Sequence, residues 1–167
     1  MQPGIIYEEK IFSKWMTAIM APIFVVMVLL FLYFGTTSPI STDPELTWLK
    51  WYFLMMCLFF LGVTINFIWL IIRISPYSIS VGYGIIKYTV PWENIEGCSL
   101  DETSALKYGG AGIRMTREVG KWWLVFSVIG GPRVVVSLRK GRFRTVIFST
   151  KHPQEVVKII KEWTKTK

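Results

Sequence analysis

The chain has 167 residues, which gives room for one ordinary domain and a short addition to it. Hydrophobic residues make up 52% of it and charged residues only 18%, whereas soluble domains carry about a quarter charged residues. The low share of charged residues argues against an ordinary soluble domain. The formal net charge of +8 excludes a strongly acidic chain.

Two hydrophobic runs without a charged residue dominate the first half, Trp15–Phe34 and Trp51–Ile72, of 20 and 22 residues. About 20 apolar residues cross the hydrocarbon core as a helix, which satisfies its own backbone in lipid. A cleaved signal peptide has a shorter apolar core and a small-residue cleavage site, which Gly35–Pro39 does not resemble. We therefore predict a transmembrane hairpin over 15–72, with helices at 15–34 and 51–72 and an external loop at 35–50.

The distribution of Lys and Arg predicts the orientation of this hairpin. The N-terminal tail 1–14 carries Lys10 and Lys14, the loop 35–50 carries only Lys50, and residues 73–167 carry 16 of the 19 basic residues. Because basic residues stay on the cytoplasmic side, we expect a multi-pass protein of the cell (inner) membrane with both termini in the cytoplasm. Cys57 and Cys98 then lie on different sides of the hydrocarbon boundary, so no disulfide and no metal site is expected from them.

Small and polar residues in the two runs indicate helix packing rather than a transport pathway. Pro22 should kink the first helix, and Gly62, Thr64 and Asn66 stand among large residues of the second. Such residues usually pack one membrane helix against another, within the hairpin, against a membrane-protein partner or against a second copy of the chain. An ion or substrate pathway is the weaker reading, because neither run holds an ionisable residue.

The stretch Ser80–Gly84, SVGYG, resembles a potassium-channel filter, but its context differs. A filter needs a pore helix before it and a spanning helix after it, whereas this stretch follows the second hydrophobic run and no further run of membrane length comes later. Tyr77–Val81 and Ile85–Val90 alternate as strands do. We therefore predict a β-hairpin that turns across Gly82-Tyr83-Gly84.

The rest of residues 73–167 continues the strand pattern and then changes period. From Pro153 onward, apolar residues recur at helical spacing up to Trp163. The prediction is an α+β chain: a two-helix transmembrane hairpin, then a strongly bent seven-stranded sheet capped by a C-terminal amphipathic helix. The five further strands are predicted at Glu93–Leu100, Gly112–Thr116, Lys121–Val128, Arg133–Arg139 and Arg142–Ser149.

Several short motifs in this region resemble the prokaryotic PH-like (bacterial pleckstrin-homology) domain family. They are Pro91-Trp92-Glu93-Asn94-Ile95, Tyr108-Gly109-Gly110-Ala111-Gly112-Ile113-Arg114, Leu138-Arg139-Lys140-Gly141-Arg142 and Ser149-Thr150-Lys151-His152-Pro153. A membrane-bound branch of that family has two preceding spanning helices, so the resemblance covers nearly the whole chain. It implies a PH-like partial barrel and a binding or scaffolding module.

Three clusters of residues are candidates for binding. The glycine motif with Gly109, Gly110, Gly112 and Arg114 could cradle a phosphate, but it leads into a strand and not into a helix, which favours a bent sheet corner. A basic hairpin tip, defined at the end of this paragraph, could bind anionic lipid, bind a protein partner or prevent other strands from pairing with the edge of the sheet. Trp122 and Trp123 point to opposite faces of one strand, so one face can fill the core while the other forms a protein or membrane contact patch or is buried beneath a loop. The basic tip consists of Arg139, Lys140, Arg142 and Arg144.

Catalytic residues are not expected. The one histidine, His152, stands at a predicted helix start, and the sequence has no metal-ligand spacing and no sign of a cofactor. Asp101 and Glu102 are interpreted as solvated loop residues, and nucleic acid is a poor candidate because the positive charge is diffuse. We therefore expect a non-enzymatic accessory or scaffolding subunit of a membrane complex. The alternative is a module that binds anionic membrane lipids without a dedicated protein partner.

Overall fold

The computed structural model describes residues 4–34, 47–101, 110, 112–118 and 120–165. The chain divides into two compact units. One is a helical hairpin, Lys14–Ile68, and the other combines Met1–Ser13 with Trp69–Lys167 and is called the β-domain below. The hairpin is therefore inserted, in chain order, into a domain that begins before it and ends after it. Most of the predicted loop 35–50, and Gly109 of the glycine motif, lie outside the described residues.

The helical hairpin consists of α1, Lys14–Leu32, and α2, Thr47–Phe67. Both helices are long and apolar enough to cross a membrane. In α1 no residue is buried, and large apolar side chains are exposed along both helices. A helix that is apolar on all sides is typical of a membrane span or of the core of a large protein. Pro22 lies inside α1, as expected, and Phe34 stacks on Phe53 with ring centroids 5.0 Å apart.

The structure corrects both boundaries of the predicted hairpin. The predicted tail 1–14 contains a strand, β1 (Tyr7–Phe12), and the predicted second helix ends at Phe67 and not at Ile72. Its last residues open the strand β2 (Trp69–Ile74), which pairs antiparallel with β1 from Tyr7↔Ile74 to Phe12↔Trp69. In β2 the buried residues alternate with more exposed ones, which is the strand period. A short apolar run after a helix does not reveal this period by composition alone.

The β-domain contains nine described strands, two more than expected, in two sheets. The first sheet has the order β1-β2-β3-β4 and the second β5-β8-β9-β7-β6. All described pairings are antiparallel except that of β7 with β9, which is parallel. The remaining strands are β3 (Ser78–Tyr83), β4 (Ile86–Pro91), β5 (Ile95–Asp101), β6 (Gly112–Glu118), β7 (Lys121–Ser127), β8 (Arg133–Leu138) and β9 (Phe143–Ser149).

The SVGYG stretch forms a β-hairpin, as expected, but the turn lies further along than predicted. Gly82 and Tyr83 belong to β3, and Gly84 with Ile85 connects β3 to β4. Gly84 has a φ of +47°, a conformation that glycine adopts easily. A Cβ atom at Gly82 would lie 2.2 Å from the carbonyl oxygen of Ile86, so only glycine fits there. The glycines therefore serve the turn and the close approach of β4.

The C-terminal helix α3 spans Pro153–Lys165, which confirms the predicted change of period. Val156, Val157 and Ile160 are buried, and α3 packs chiefly against β5. Near its end, Trp163 stacks on Trp92, whose ring is fully buried and whose indole nitrogen donates to the carbonyl of Ser75 at 3.0 Å. Trp92 lies in a short 3₁₀ helix, Trp92–Asn94, so the Pro91-Trp92-Glu93-Asn94 motif joins the two sheets and α3.

A buried carboxylate ties β1 to the start of α3. Glu9 accepts hydrogen bonds from the Thr150 hydroxyl at 2.6 Å, from the Lys151 backbone N–H at 2.7 Å and from the Tyr7 hydroxyl at 2.9 Å. Burial and the Glu9 carboxylate raise the pKa of Tyr7 above its usual range, so the phenol keeps the proton that it donates. The bonds from Thr150 and Lys151 join residues more than 140 positions apart in the chain.

Asp101 is not the solvated loop residue that the sequence suggested. It ends β5 opposite Arg133, the first residue of β8, and its Oδ2 lies 3.2 Å from the Arg133 Nε. Both side chains are almost completely buried. Removing one partner of such a pair would leave an uncompensated buried charge, so a shift in the register of β5 on β8 that separated them would be unfavourable.

Replacing Glu9 by Gln tests the link between β1 and α3. The amide retains the shape but loses the charge that strengthens the hydrogen bonds from Thr150, Lys151 and Tyr7, so we expect Glu9→Gln to lower the free energy of unfolding of the β-domain by about 2 kcal/mol. Urea unfolding of the detergent-solubilised chain, followed by Trp fluorescence, measures this. Glu8→Gln is the matched control, because Glu8 makes only exposed ion pairs with Lys10 and Arg73. Equal effects of the two changes would contradict the role given to Glu9.

Candidate functional site

The basic tip connects β8 to β9. Leu138 ends β8 and Phe143 begins β9, so residues 139–142 form the turn and Arg144 lies one residue inside β9. The side chains of Arg139, Lys140, Arg142 and Arg144 are exposed. The Arg144 guanidinium donates to the Arg139 carbonyl and so joins the two sides of the turn. Four positive charges therefore stand together at one end of the second sheet.

Asn94 holds this turn in a fixed position. Its amide donates to the Lys140 carbonyl at 2.8 Å, and its side-chain oxygen accepts from the Lys140 N–H at 2.7 Å. The Arg139 N–H donates to the Asn94 carbonyl at 2.9 Å. The Trp92–Asn94 motif and the basic tip, which are far apart in sequence, thus form one structural unit. We call the two hydrogen bonds between the Asn94 side chain and Lys140 the clamp. Both stretches stood out in the sequence, but the clamp between them was not predicted, because no sequence pattern indicates that an Asn side chain will bond to a turn 46 residues away.

The parallel pairing of β7 with β9 brings Trp122 to the basic tip. Trp122 pairs with Phe143, and the Arg142 guanidinium lies 5.8 Å from the Trp122 ring centroid. Arg117, opposite Trp122 on β6, lies 5.9 Å from the same ring. These distances fit cation–π contacts, which orient both guanidinium groups on an exposed ring. The sequence pattern missed Arg117, although the Gly120 turn places it opposite Trp122.

The other predicted residues do not join this cluster. Trp123 is only partly exposed and pairs with Thr116 and Thr145. Gly110 and Gly112 lie where β6 begins beside the end of β7, at the opposite end of these strands from Trp122. Both have φ near +100°, and the Gly110 carbonyl accepts from the Ser127 hydroxyl, which supports a role in the bend. Arg114 is exposed on β6.

The cluster around the tip is electropositive. Arg117 and Lys121 join the four tip residues, while Glu93 and Glu96 are the described acids that line depressions beside them. Glu118, which pairs with Lys121 in the strand register, is a third acid, and the six positive charges still outnumber the three negative ones. The resulting local field attracts anionic groups within a Debye length, about 8 Å at physiological salt. The exposed Trp122 ring adds an apolar surface at its centre.

The environments of His152 and Cys98 matter because these residue types often take part in catalysis or metal binding. Among them, no group of three His, Cys, Asp or Glu side chains could hold a metal ion. His152 is exposed just before α3, and its carbonyl accepts the Val156 N–H, as at a helix start. Burial raises the pKa of the Cys98 thiol to about 12, an effect that the charge of Lys161 opposes only in part. Cys98 is therefore a neutral thiol at physiological pH.

No protein-family model, no curated protein and no solved structure matches this chain. The assignment of the site therefore depends on its own geometry and charge.

Replacing Asn94 by Ala tests the clamp. We expect Asn94→Ala to remove two hydrogen bonds from the tip, worth about 1 kcal/mol in local opening, and to make tryptic cleavage at residues 139–142 about fivefold faster. Mass spectrometry of limited digests measures the rate. Glu93→Ala changes the neighbouring exposed residue without touching the clamp and is expected to leave the rate unchanged. A tip equally resistant in Asn94→Ala would show that the clamp does not hold the turn.

The reactivity of Cys98 tests its environment. A pKa of about 12 in place of the ordinary 9.0 leaves about a thousandth of the usual thiolate at pH 7.5, so we expect iodoacetamide to alkylate Cys98 far more slowly in the folded chain than in urea. The experiment uses a Cys57→Ala background to leave a single thiol. Ser99→Cys with Cys98→Ser places the thiol on the adjacent exposed position as a control. Equal rates at positions 98 and 99 would contradict the raised pKa of the Cys98 thiol.

Proposed function

We propose that this chain is a membrane-anchored, non-enzymatic adaptor that holds its β-domain at the membrane and binds the acidic surface of a partner protein through the basic tip. The observation that carries the proposal is the cluster of the basic tip with Arg117 around the exposed Trp122 ring. An aromatic ring with oriented guanidinium groups is a composition typical of protein-interaction hot spots. In this proposal the cell (inner) membrane is the location, and the β-domain is cytoplasmic because of its positive charge.

The order of the tip supports a docking role. A turn of exposed basic residues loses side-chain entropy when it binds. Here the Asn94 clamp fixes the backbone, and the contacts with Trp122 orient Arg142 before any partner arrives. Preorganisation of this kind lowers the free-energy cost of binding. Basic residues that served only to prevent pairing at a sheet edge would gain nothing from this preorganisation.

The position of the tip within the β-domain favours a protein over the bilayer. The chain leaves β1 for α1 after Phe12 and returns from α2 at Trp69, and Ile86 of β4 lies at this end of the first sheet. The strand β4 ends at Pro91, at the opposite end of the first sheet, and Asn94 comes three residues later. Six residues of strand span about 20 Å, more than two Debye lengths. Within the β-domain, Lys140 therefore lies far from the end of the first sheet where the chain leaves for α1 and returns from α2.

The fold supports a binding module, and a PH-like domain remains our proposal for its family. Nine strands in two sheets with a C-terminal helix packed on β5 form a scaffold for exposed turns. The motifs that resemble the prokaryotic PH-like family include the clamp and the turn that it holds. The helical hairpin supplies the anchor, and its exposed apolar side chains offer surface to lipid, to a membrane-protein partner or to a second copy.

Photo-crosslinking in native membranes tests the adaptor function. A photoreactive phenylalanine analogue at position 140 should give one dominant protein adduct, whereas the same group at Lys158, exposed on α3, should give none of that adduct. Neutralising Arg139→Gln and Arg142→Gln should reduce the yield at position 140 about tenfold, because the attraction is electrostatic. Adducts with lipid alone would instead favour the anionic-lipid alternative. An adduct that survives neutralisation would contradict the basic tip as the contact.

A further inference from the structure

One end of the first sheet exposes large apolar side chains. Phe12 is 39%, Trp69 45% and Ile86 46% exposed, and Ile85 is 90% exposed in the turn between β3 and β4. We call these four residues the apolar rim. Turn positions usually carry Gly, Asn, Asp or Ser, and an isoleucine extended into water there is unfavourable. A group of exposed apolar residues marks a contact surface.

The strand register places all four residues at the same end. Phe12 pairs with Trp69, Leu70 pairs with Tyr83, and Tyr83 pairs with Ile86. The rings of Phe12 and Trp69 meet edge to face with centroids 5.3 Å apart. The rim therefore borders one end of the sheet from β1 to β4, with Phe12 and Trp69 on one face of the sheet and Ile86 on the other.

The rim is built on a rigid support. The Tyr83 side chain is fully buried, and its hydroxyl donates to the Ser127 carbonyl at 2.9 Å, which ties the turn to the end of β7. Gly82 allows β4 to approach so closely that a Cβ atom there would collide with the Ile86 carbonyl and with the Lys87 Cα. Ile85 is therefore held outward by a well-packed hairpin.

We propose that the apolar rim enters the interfacial layer of the bilayer that α1 and α2 cross, with Ile85 reaching deepest. The proposal rests on the anchoring part of the proposed function. One residue, Ser13, separates Phe12 from α1, and one residue, Ile68, separates α2 from Trp69, so half of the rim is continuous in sequence with the candidate spans. Tryptophan is enriched at that interface.

Charge complementarity also favours lipid as the occupant. Lys14 follows Phe12 by two residues, and the exposed Lys87 follows Ile86. Lysine beside apolar residues at a membrane surface buries its stem and places its ammonium among phosphate groups. Elements that enter this layer bury their apolar side by about 5–10 Å. The rim would then fix the β-domain against the bilayer and leave the basic tip accessible to protein.

Depth-dependent quenching in vesicles tests the proposal with the full chain. Single cysteines are introduced by Ile85→Cys, Tyr77→Cys and Phe59→Cys in a Cys57→Ala, Cys98→Ser background and are labelled with an environment-sensitive fluorophore. The vesicles contain phosphatidylcholine and phosphatidylglycerol with a nitroxide at a shallow acyl position. Tyr77 is the matched control, because it is 77% exposed beyond the start of β3, at the other end of the same sheet.

We expect the probe at position 85 to emit at shorter wavelength than the probe at 77 and to be quenched by the nitroxide lipid at least threefold more. The probe at 59, inside α2, reports the anchor independently. Quenching of the probe at position 59 with no difference between positions 85 and 77 would contradict the membrane contact of the rim and leave the membrane anchor supported. An absence of quenching at position 59 would contradict both. A probe at 85 shielded from aqueous iodide but not quenched by lipid would mean that protein covers the rim, and would also overturn the proposal.

Discussion

The antiparallel pairing of β1 with β2 is the constraint on which the rest of the structure depends. Paired residues of neighbouring strands lie about 5 Å apart, so the chain must leave and re-enter the β-domain at one point, between Phe12 and Trp69. The helices α1 and α2, which lie between these two residues in the chain, belong to a separate compact unit, Lys14–Ile68. Glu9, in the middle of β1, then anchors the beginning of α3, so the first strand and the last helix complete the same domain.

This arrangement gives the two ends of the first sheet different characters. One end holds the apolar rim and the points where the chain leaves for α1 and returns from α2. The other end leads through the Trp92–Asn94 motif to the clamped basic tip with its exposed charges. In the proposed function this difference between the two ends matters, because an adaptor at a membrane must keep the surface that binds its partner away from the bilayer.

Much of the fold could be predicted from periodicity. Charge-free runs of about 20 residues indicated both helices, and the change from alternating to helical spacing after His152 indicated α3. The strands β1 and β2 escaped prediction for physical reasons. The apolar side chains of β2 directly follow those of α2, so composition hides the boundary, and β1, with two glutamates and a lysine, is stabilised by partners far away in sequence.

The site was only partly predictable because its members meet through tertiary pairing. The four basic residues of the tip are neighbours in sequence. The sequence does not reveal the parallel pairing of β7 with β9, which places Trp122, with Arg117 opposite it on β6, beside the tip. Asp101 was misread for the same reason, since its partner Arg133 comes from another strand.

Amide hydrogen exchange of residues 7–12 in the full-length chain tests the central claim most directly. If β1 closes the first sheet beside β2, the amides of 7–12 that bond to β2 exchange as slowly as those of 69–74. Fast exchange over 7–12, as for a free tail, together with protected amides in 69–74 would contradict the account.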